Sequence, residues 1–217
     1  MVNVPRFPHD LEALPGGRPD KQRRRYALGA MKRFRQFDVD WMVTLRIMKG
    51  RPAPEDATPR SYNYISLIEG DDCLAAMTAQ LNQAISLFAG ISEEKSLHRY
   101  SAEKWSIRQM LNHVADSERV FAFRALWLAR GIDASLPGFN PEIAASAIHS
   151  DRIPWKAHVE EFRHVRQASI DLFRNLPADA WTRRGTIGNS SFTVLALGFV
   201  VSGHLEHHMR ILRERYL

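Results

Sequence analysis

Apolar residues recur at helical spacing through most of the chain. Between residues 61 and 217 they fall on four segments, which are separated by shorter polar stretches that contain glycine or proline. Apolar positions three or four residues apart are typical of amphipathic helices, whereas the alternation expected of strands is weak here. The pattern therefore predicts an all-α chain in which four helices bury their apolar faces against one another.

Capping and breaking residues mark the ends of these helices. The first helix opens with two capping aspartates and ends at Gly90. Ser106 and Gln109 form a capping-box pattern at the start of the second. Pro154 is expected in the first turn of the third helix. The predicted helices span residues 71–90, 106–130, 154–175 and 193–217, and the stretches 135–142 and 183–192 are predicted to be loops.

The net charge of +6 belongs to the N-terminal segment. Residues 1–60 contain 13 Lys and Arg against 7 Asp and Glu, whereas residues 61–217 contain 17 of each kind. The balanced part lacks the excess of positive charge that marks most nucleic-acid-binding domains. We therefore divide the chain into a basic N-terminal extension with a proline-rich linker, residues 1–60, and a helical body, residues 61–217.

Within the extension, residues 23–49 are predicted to form a basic amphipathic helix, and 50–60 to form the linker. Three roles for this helix stay open. In the first it packs on the helical body or on a second copy of the chain, and in the second it binds an anionic surface such as nucleic acid or membrane. In the third it is mostly disordered, or it includes a mis-assigned start.

Cysteine usage and hydropathy set further limits. The single cysteine, Cys73, excludes an intramolecular disulfide and a cysteine-rich zinc module. A reducing, cytoplasmic setting is the simplest expectation. The chain has no run of about 18 apolar residues, so we expect no transmembrane helix, and its start lacks the apolar region of a signal peptide.

Three of the nine histidines lie within five residues, in the segment "GHLEHHMR" (203–210). His204 and His208 share one face of the last predicted helix, with Cβ atoms roughly 6 Å apart. Both imidazoles can therefore reach one ion with bonds of about 2.0–2.1 Å. His207 is rotated by about 100° from His208 and cannot readily share that ion. The same spacing also fits two polar residues at the edge of an apolar face.

A third candidate ligand lies on the second predicted helix. His113 borders the apolar face between Met110 and Val114. An imidazole buried there without a partner would cost about 1–3 kcal/mol, which a metal, a backbone group or a carboxylate would relieve. The other histidines are predicted to be surface residues: His9, His98, His149, His158 and His164.

Several polar and aromatic residues near these histidines are weaker candidates. Asp116 lies on the same side of its helix as His113, so it could orient a ligand histidine or act as a base, and we take it as the candidate catalytic residue. A solvated carboxylate or an ion pair with Arg119 or Arg124 explains it equally well. The remaining candidates are Glu118 as a nearby carboxylate, Trp105 as a pocket wall or packing residue, Arg124 and Arg210 as anion-binding side chains, and Tyr62 and Tyr64 as covers of the site.

Four segments together resemble the DinB/YfiT-like superfamily over about residues 61–217. In order they are "KWSIRQMLNHVADSERVFAFRALWLARG" (104–131), "LPGF", "EEFRHVRQASIDLFRNL" and "GHLEHHMRILRERYL". The resemblance implies an up-down-down-up type four-helix bundle, commonly dimeric, that holds a divalent metal ion such as zinc, nickel or iron on three histidines. Carried over to this sequence, the metal ligands are His113, His204 and His208.

The resemblance also implies a class of reaction. Some members of the superfamily are thiol-dependent enzymes, namely a mycothiol-dependent maleylpyruvate isomerase and bacillithiol S-transferases. It therefore implies a metal-dependent enzyme that acts on a small molecule with a low-molecular-weight thiol as cosubstrate, because a metal-bound thiol loses its proton near neutral pH. The alternatives are a non-catalytic bundle stapled by the metal, or a stress-response binding protein, including one that contacts nucleic acid through residues 1–60.

Overall fold

The computed structural model describes residues 50–217 and shows a mostly helical fold. The predicted basic helix over 23–49 and His9 lie outside these residues. Among residues 50–217 none of the helices has the length and apolar character needed to cross a bilayer. The elements are α1 Pro59–Ile65, α2 Cys73–Ala89, α3 Ile107–Ala129, α4 Pro141–Ser146, α5 Trp155–Arg174, α6 Val194–Ile211, β1 Arg184–Ile187 and β2 Ser190–Thr193.

The four long helices α2, α3, α5 and α6 are the four that the sequence predicts. Asp72 caps α2 by accepting a hydrogen bond from the Ala75 amide (2.9 Å), and the capping box of Ser106 and Gln109 is formed at α3. These contacts satisfy amide groups that have no partner within the helix. Pro154 is the N-cap of α5 rather than a residue of its first turn. After α6 the chain continues as one π-helical turn, Leu212–Tyr216.

Consecutive helices α2 and α3 lie across the diagonal of the bundle, because each of them packs against both α5 and α6. The core consists of two apolar clusters, one around Phe173 and one around Phe162, and every long helix passes from one to the other. In chain order, α2 runs from the Phe173 cluster to the Phe162 cluster, α3 and α5 run the opposite way, and α6 runs as α2 does. These directions are up, down, down and up, which confirms the predicted bundle. The Phe173 cluster contains Met77 on α2, Ala125 on α3, Ile170 on α5 and Val201 on α6. The Phe162 cluster contains Ala84, Val114, Phe162 and Leu205 on the same helices in the same order.

Between the two apolar clusters lies a buried layer of polar residues, which we call the central polar layer. It takes one residue from each long helix: Gln80, Glu118, Arg166 and Ser202. All four are at most 6% exposed. Polar groups at this depth are costly unless they find partners inside the protein, so the layer must be stabilised by contacts between helices.

The prediction of a loop over 183–192 is wrong, because this stretch forms a β-hairpin. β1 and β2 pair antiparallel, with Ile187 opposite Ser190 and a two-residue turn between them. Gly188 opens the turn with φ +60°, at the position where type II′ hairpin turns favour glycine. Each strand has four residues, which is too short for alternating burial to stand out in the sequence.

Two further segments are more ordered than predicted. The expected loop 135–142 contains the start of α4, where Asn140 accepts hydrogen bonds from the amides of Glu142 and Ile143. The expected linker 50–60 contains the start of α1, which is capped by Thr58. Arg51 joins the start of this stretch to the end of α1 and the loop after it, by donating to the carbonyl groups of Ile65, Ile68 and Gly70. The division of the chain at residue 60 stays a prediction.

Candidate metal centre

Three imidazoles from two helices converge at the Phe162 end of the bundle. His113 comes from α3, and His204 and His208 come from α6. The Nε2 atom of His204 lies 3.1 Å from Nε2 of His113 and 3.2 Å from Nε2 of His208. Within residues 50–217 no other group of three histidine, cysteine or acidic side chains is arranged to hold a metal ion. The structure thus brings together the three residues that the sequence singled out.

The spacing of these nitrogens fits a shared divalent ion. Two nitrogens bound to one ion at about 2.0–2.1 Å lie about 3.3 Å apart at a tetrahedral angle and about 2.9 Å apart at a right angle. The observed separations of 3.1 and 3.2 Å fall between these values. Hydrogen bonding alone cannot satisfy the cluster, because Nε2 of a neutral His204 offers either one proton or one lone pair, while two other ring nitrogens approach it.

Burial keeps the three histidines neutral. Burial, followed by the nearby charges of Arg60 and His207, lowers the pKa of His113 to about 4. For His204 and His208, burial and then repulsion from neighbouring histidines hold the pKa well below its usual value. At neutral pH all three rings therefore carry a lone pair, which is the form that binds metal.

Neighbouring side chains orient the rings. The hydroxyl of Ser117 lies 3.3 Å from Nδ1 of His113. If Nδ1–H donates to this hydroxyl, Nε2 is left without a proton and faces the cluster. Trp105 packs against His113 with 4.8 Å between ring centroids, and Tyr64 packs edge-on against His204 at 5.3 Å. Ser117 is not among the residues predicted from the sequence, although its position one turn after His113 is a usable signal.

The structure places Asp116 in a different set of contacts. Its carboxylate accepts a hydrogen bond from Asn112 (2.7 Å) and pairs with Arg119 (3.0 Å). The hydrogen bonds and ion pairs that Asp116 makes within residues 50–217 do not involve a histidine of the triad. Its assignment as a catalytic residue stays a prediction.

The two arginines that were candidates for anion binding have partners within the protein. Arg124 donates to the carbonyl of Pro137 (3.0 Å), and Arg210 pairs with Glu206 one turn earlier (2.9 Å).

His158 was expected at the surface but is 1% exposed, with Nε2 2.9 Å from the carbonyl oxygen of Ser150. That prediction is wrong because residue 158 continues the buried stripe of α5, between Trp155 and Phe162.

A recess opens beside His208. Its volume is about 330 Å³, at the lower end of the roughly 300–1,000 Å³ found for small-molecule sites. The hydroxyl of Tyr216 donates to the carbonyl of Trp105 (2.7 Å), which ties the C-terminal turn to the loop before α3. The recess is lined by the aromatic and aliphatic residues Tyr100, Trp105, Met110, Ile211 and Tyr216, the charged residues Glu103, Lys104 and Glu142, and His208.

The family model of the DinB superfamily matches residues 76–212, a span that contains all three converging histidines. The chain belongs to the DinB superfamily. Its fold is similar to that of YfiT from Bacillus subtilis, described as a probable metal-dependent hydrolase with an unusual four-helix bundle topology. That match has a TM-score of 0.52 and 15% sequence identity, and it covers 76% of this chain and 93% of YfiT. At this identity the likeness shows the fold alone. No curated protein matches the sequence.

Proposed function

We propose that this DinB-superfamily protein holds one divalent metal ion on His113, His204 and His208 and is a metal-dependent enzyme. The convergence of three neutral Nε2 atoms beside a recess carries this proposal. Three histidine ligands leave at least one coordination position for water or substrate. Because imidazoles are uncharged, they do not neutralise the ion, and a bound divalent ion lowers the pKa of a coordinated thiol or water.

The reaction that we propose first is transfer or isomerisation that uses a small thiol as cosubstrate. It rests on the family resemblance and on the recess beside His208, whose volume of about 330 Å³ suits a small molecule. Trp105 and Tyr64 pack against ligand histidines and shield them from water. In this proposal the protein is cytoplasmic and homodimeric, and Asp116 is an acid–base residue one turn from His113.

Hydrolysis is the second candidate, and the description of YfiT favours it. In that case the activated group is water rather than a thiol. The two reactions separate in one assay, in which a panel of electrophilic substrates is supplied to the metal-loaded protein with and without a small thiol. Turnover that requires the thiol supports the first candidate, as transfer if the thiol is consumed and as isomerisation if it is regenerated, whereas turnover without the thiol supports hydrolysis.

A non-catalytic staple is the remaining alternative. An ion that links α3 to α6 would stabilise the fold whether or not it takes part in chemistry. A large drop in melting temperature on chelation, together with no turnover of any substrate in the panel, would favour the staple.

Metal content tests the site itself. Elemental analysis of tag-free wild-type protein is expected to give about one ion per chain, whereas His204→Ala is expected to lose the ion because one of three ligands is gone. His207→Ala is the matched control, since it removes a neighbouring histidine whose ring is not part of the triad. The proposal is wrong if wild-type protein takes up no zinc, nickel or iron on reconstitution, or if His204→Ala keeps a full complement.

A further inference from the structure

The central polar layer contains a fully buried ion pair. Arg166 on α5 and Glu118 on α3 have side chains that are 0% and 3% exposed, and Nη2 of Arg166 lies 2.9 Å from Oε2 of Glu118. Apart from this ion-pair contact, Nε and Nη1 of Arg166 and both carboxylate oxygens of Glu118 have no hydrogen-bond partner within residues 50–217. The pair is therefore only partly satisfied by the protein around it.

Stability is a poor explanation for such a pair. Removing two charges from water costs several kcal/mol per ion, and well-packed apolar residues often stabilise a core as well as a buried ion pair does, or better. The layer lies between two apolar clusters that could have been continuous. The position of the pair therefore needs a reason other than its own contribution to the free energy of unfolding.

The contacts of the layer lead to the helix that carries two of the three histidines. On α6, the carbonyl of Ser202 accepts from Gln80 Nε2 (3.1 Å), and the carbonyl of Val201 accepts a long hydrogen bond from Arg166 Nη2 (3.5 Å). Both carbonyl groups belong to the turn that leads into His204. At Gly203, in the same turn, a Cβ atom would overlap the backbone carbonyl of Tyr64, so the backbones of α1 and α6 are in close contact there.

The other end of the ion pair is on the helix of the third histidine. Glu118 lies five residues after His113 on α3, and it reaches α6 through Arg166. His113 and His204 are 91 residues apart in the chain, so only packing between α3 and α6 fixes the distance between their rings. The path from Glu118 through Arg166 to Val201 is a polar connection between these two helices.

We propose that Glu118 and Arg166 are a positioning pair, which sets the placement of α6 relative to α3 and so the spacing of His113 and His204. This inference rests on the proposed metal site for its functional meaning. Neither residue touches the ion in this scheme. Groups that hydrogen-bond directly to metal ligands commonly change metal affinity by about 10- to 100-fold when they are lost. Glu118 and Arg166 act through the placement of the helices instead, and we expect an effect at the lower end of that range, about tenfold.

The test replaces both charges at once. Glu118→Leu/Arg166→Met keeps the volume and removes the polar connection, and it is expected to melt at or above the wild-type temperature. Its Kd for Co²⁺, measured by competition with a chelating dye, is expected to rise at least about tenfold. The visible absorption bands of the bound Co²⁺ are expected to shift, because they report ligand geometry, which a merely structural role would leave unchanged.

Phe173→Leu is the matched control. It perturbs the apolar cluster on the far side of the layer from the triad, so it is expected to lower the melting temperature while the Kd and the Co²⁺ spectrum stay at wild-type values. A double variant with wild-type Kd and an unchanged spectrum would overturn the positioning role.

A metal-free measurement separates this inference from the proposed function. If wild-type protein binds no ion, the proposed function fails, and crystal structures of the metal-free proteins then decide the role of the pair. The Nε2 separation of His113 and His204, 3.1 Å here, is expected to change in the double variant by more than about 0.5 Å, the tolerance of a productive site. An unchanged separation would refute the positioning pair.

Discussion

The triad and the central polar layer are two polar groupings in the same core, and the protein satisfies them in different ways. In the layer, Glu118 and Arg166 bring opposite charges together between helices. In the triad, three neutral rings bring lone pairs together at one point. Opposite charges are partners for each other, whereas three lone pairs need a cation from outside. This difference supports the interpretation of the layer as a connection between helices and the proposal that the triad binds an ion.

The two halves of the ion pair are not equivalent, and the largest expected effect comes from separating them. Glu118→Leu leaves a buried arginine that stays protonated, which is expected to lower the free energy of unfolding by about 3–5 kcal/mol. Arg166→Met is expected to cost less, because the remaining Glu118 can become neutral. Burial already raises the pKa of this carboxyl, and Arg166 opposes that rise.

Urea denaturation of the two single variants and of the double variant measures this asymmetry as a double-mutant cycle. The free energy of unfolding should fall most for Glu118→Leu and return toward the wild-type value in the double variant. Equal losses for the two single variants would show that charge burial does not govern the layer.

In the metal-free protein, the histidines of the triad should make the free energy of unfolding fall as the pH is lowered. The pKa of His113 is about 4 in the folded chain and about 6.5 in the unfolded chain. Between these values the unfolded state binds more protons, so the free energy of unfolding falls as the pH is lowered from 6.5 to 4. For His113 alone the loss across this window is roughly 3 kcal/mol.

His113→Gln removes this contribution and provides the comparison. Urea denaturation of metal-free wild type and of His113→Gln between pH 7 and pH 4.5 should show a shallower decline in the variant. Parallel declines would mean that His113 is not held neutral by burial. The layer contributes equally to both proteins, so the difference between them reports the contribution of His113.

The triad could be predicted from the sequence to a greater extent than the central polar layer. His204 and His208 are four residues apart on one helix face, so their proximity follows from helix geometry. The contact of Glu118 with Arg166 joins α3 to α5, and local spacing does not encode it. Arg166 lies on the same face of α5 as Phe162 and Ile170, which both belong to the core, but an arginine at such a position is more often exposed.

The short elements were predictable only in part, for a related reason. The N-terminal caps of α2 and α3 are local and are predicted from the sequence, whereas β1 and β2 are defined by their pairing with each other and by the bridge from Leu136 to Ile187. His158 and Ser117 were both visible as helix positions, but their partners, Ser150 and His113, could be assigned only with the helices packed. Long-range contacts, rather than propensities, account for most of what was missed.

The smallest expected effect concerns Ser117, which belongs to neither grouping but supports the triad. Ser117→Ala removes the hydroxyl 3.3 Å from Nδ1 of His113 and frees the ring to change tautomer. The metal Kd is expected to rise about tenfold, or about 1.4 kcal/mol, with one ion per chain retained at saturation. Competition with a chelating dye measures this change. Ser117→Thr, which keeps the hydroxyl, should stay near wild type, so equal Kd values for Ala and Thr would show that the hydroxyl does not orient His113.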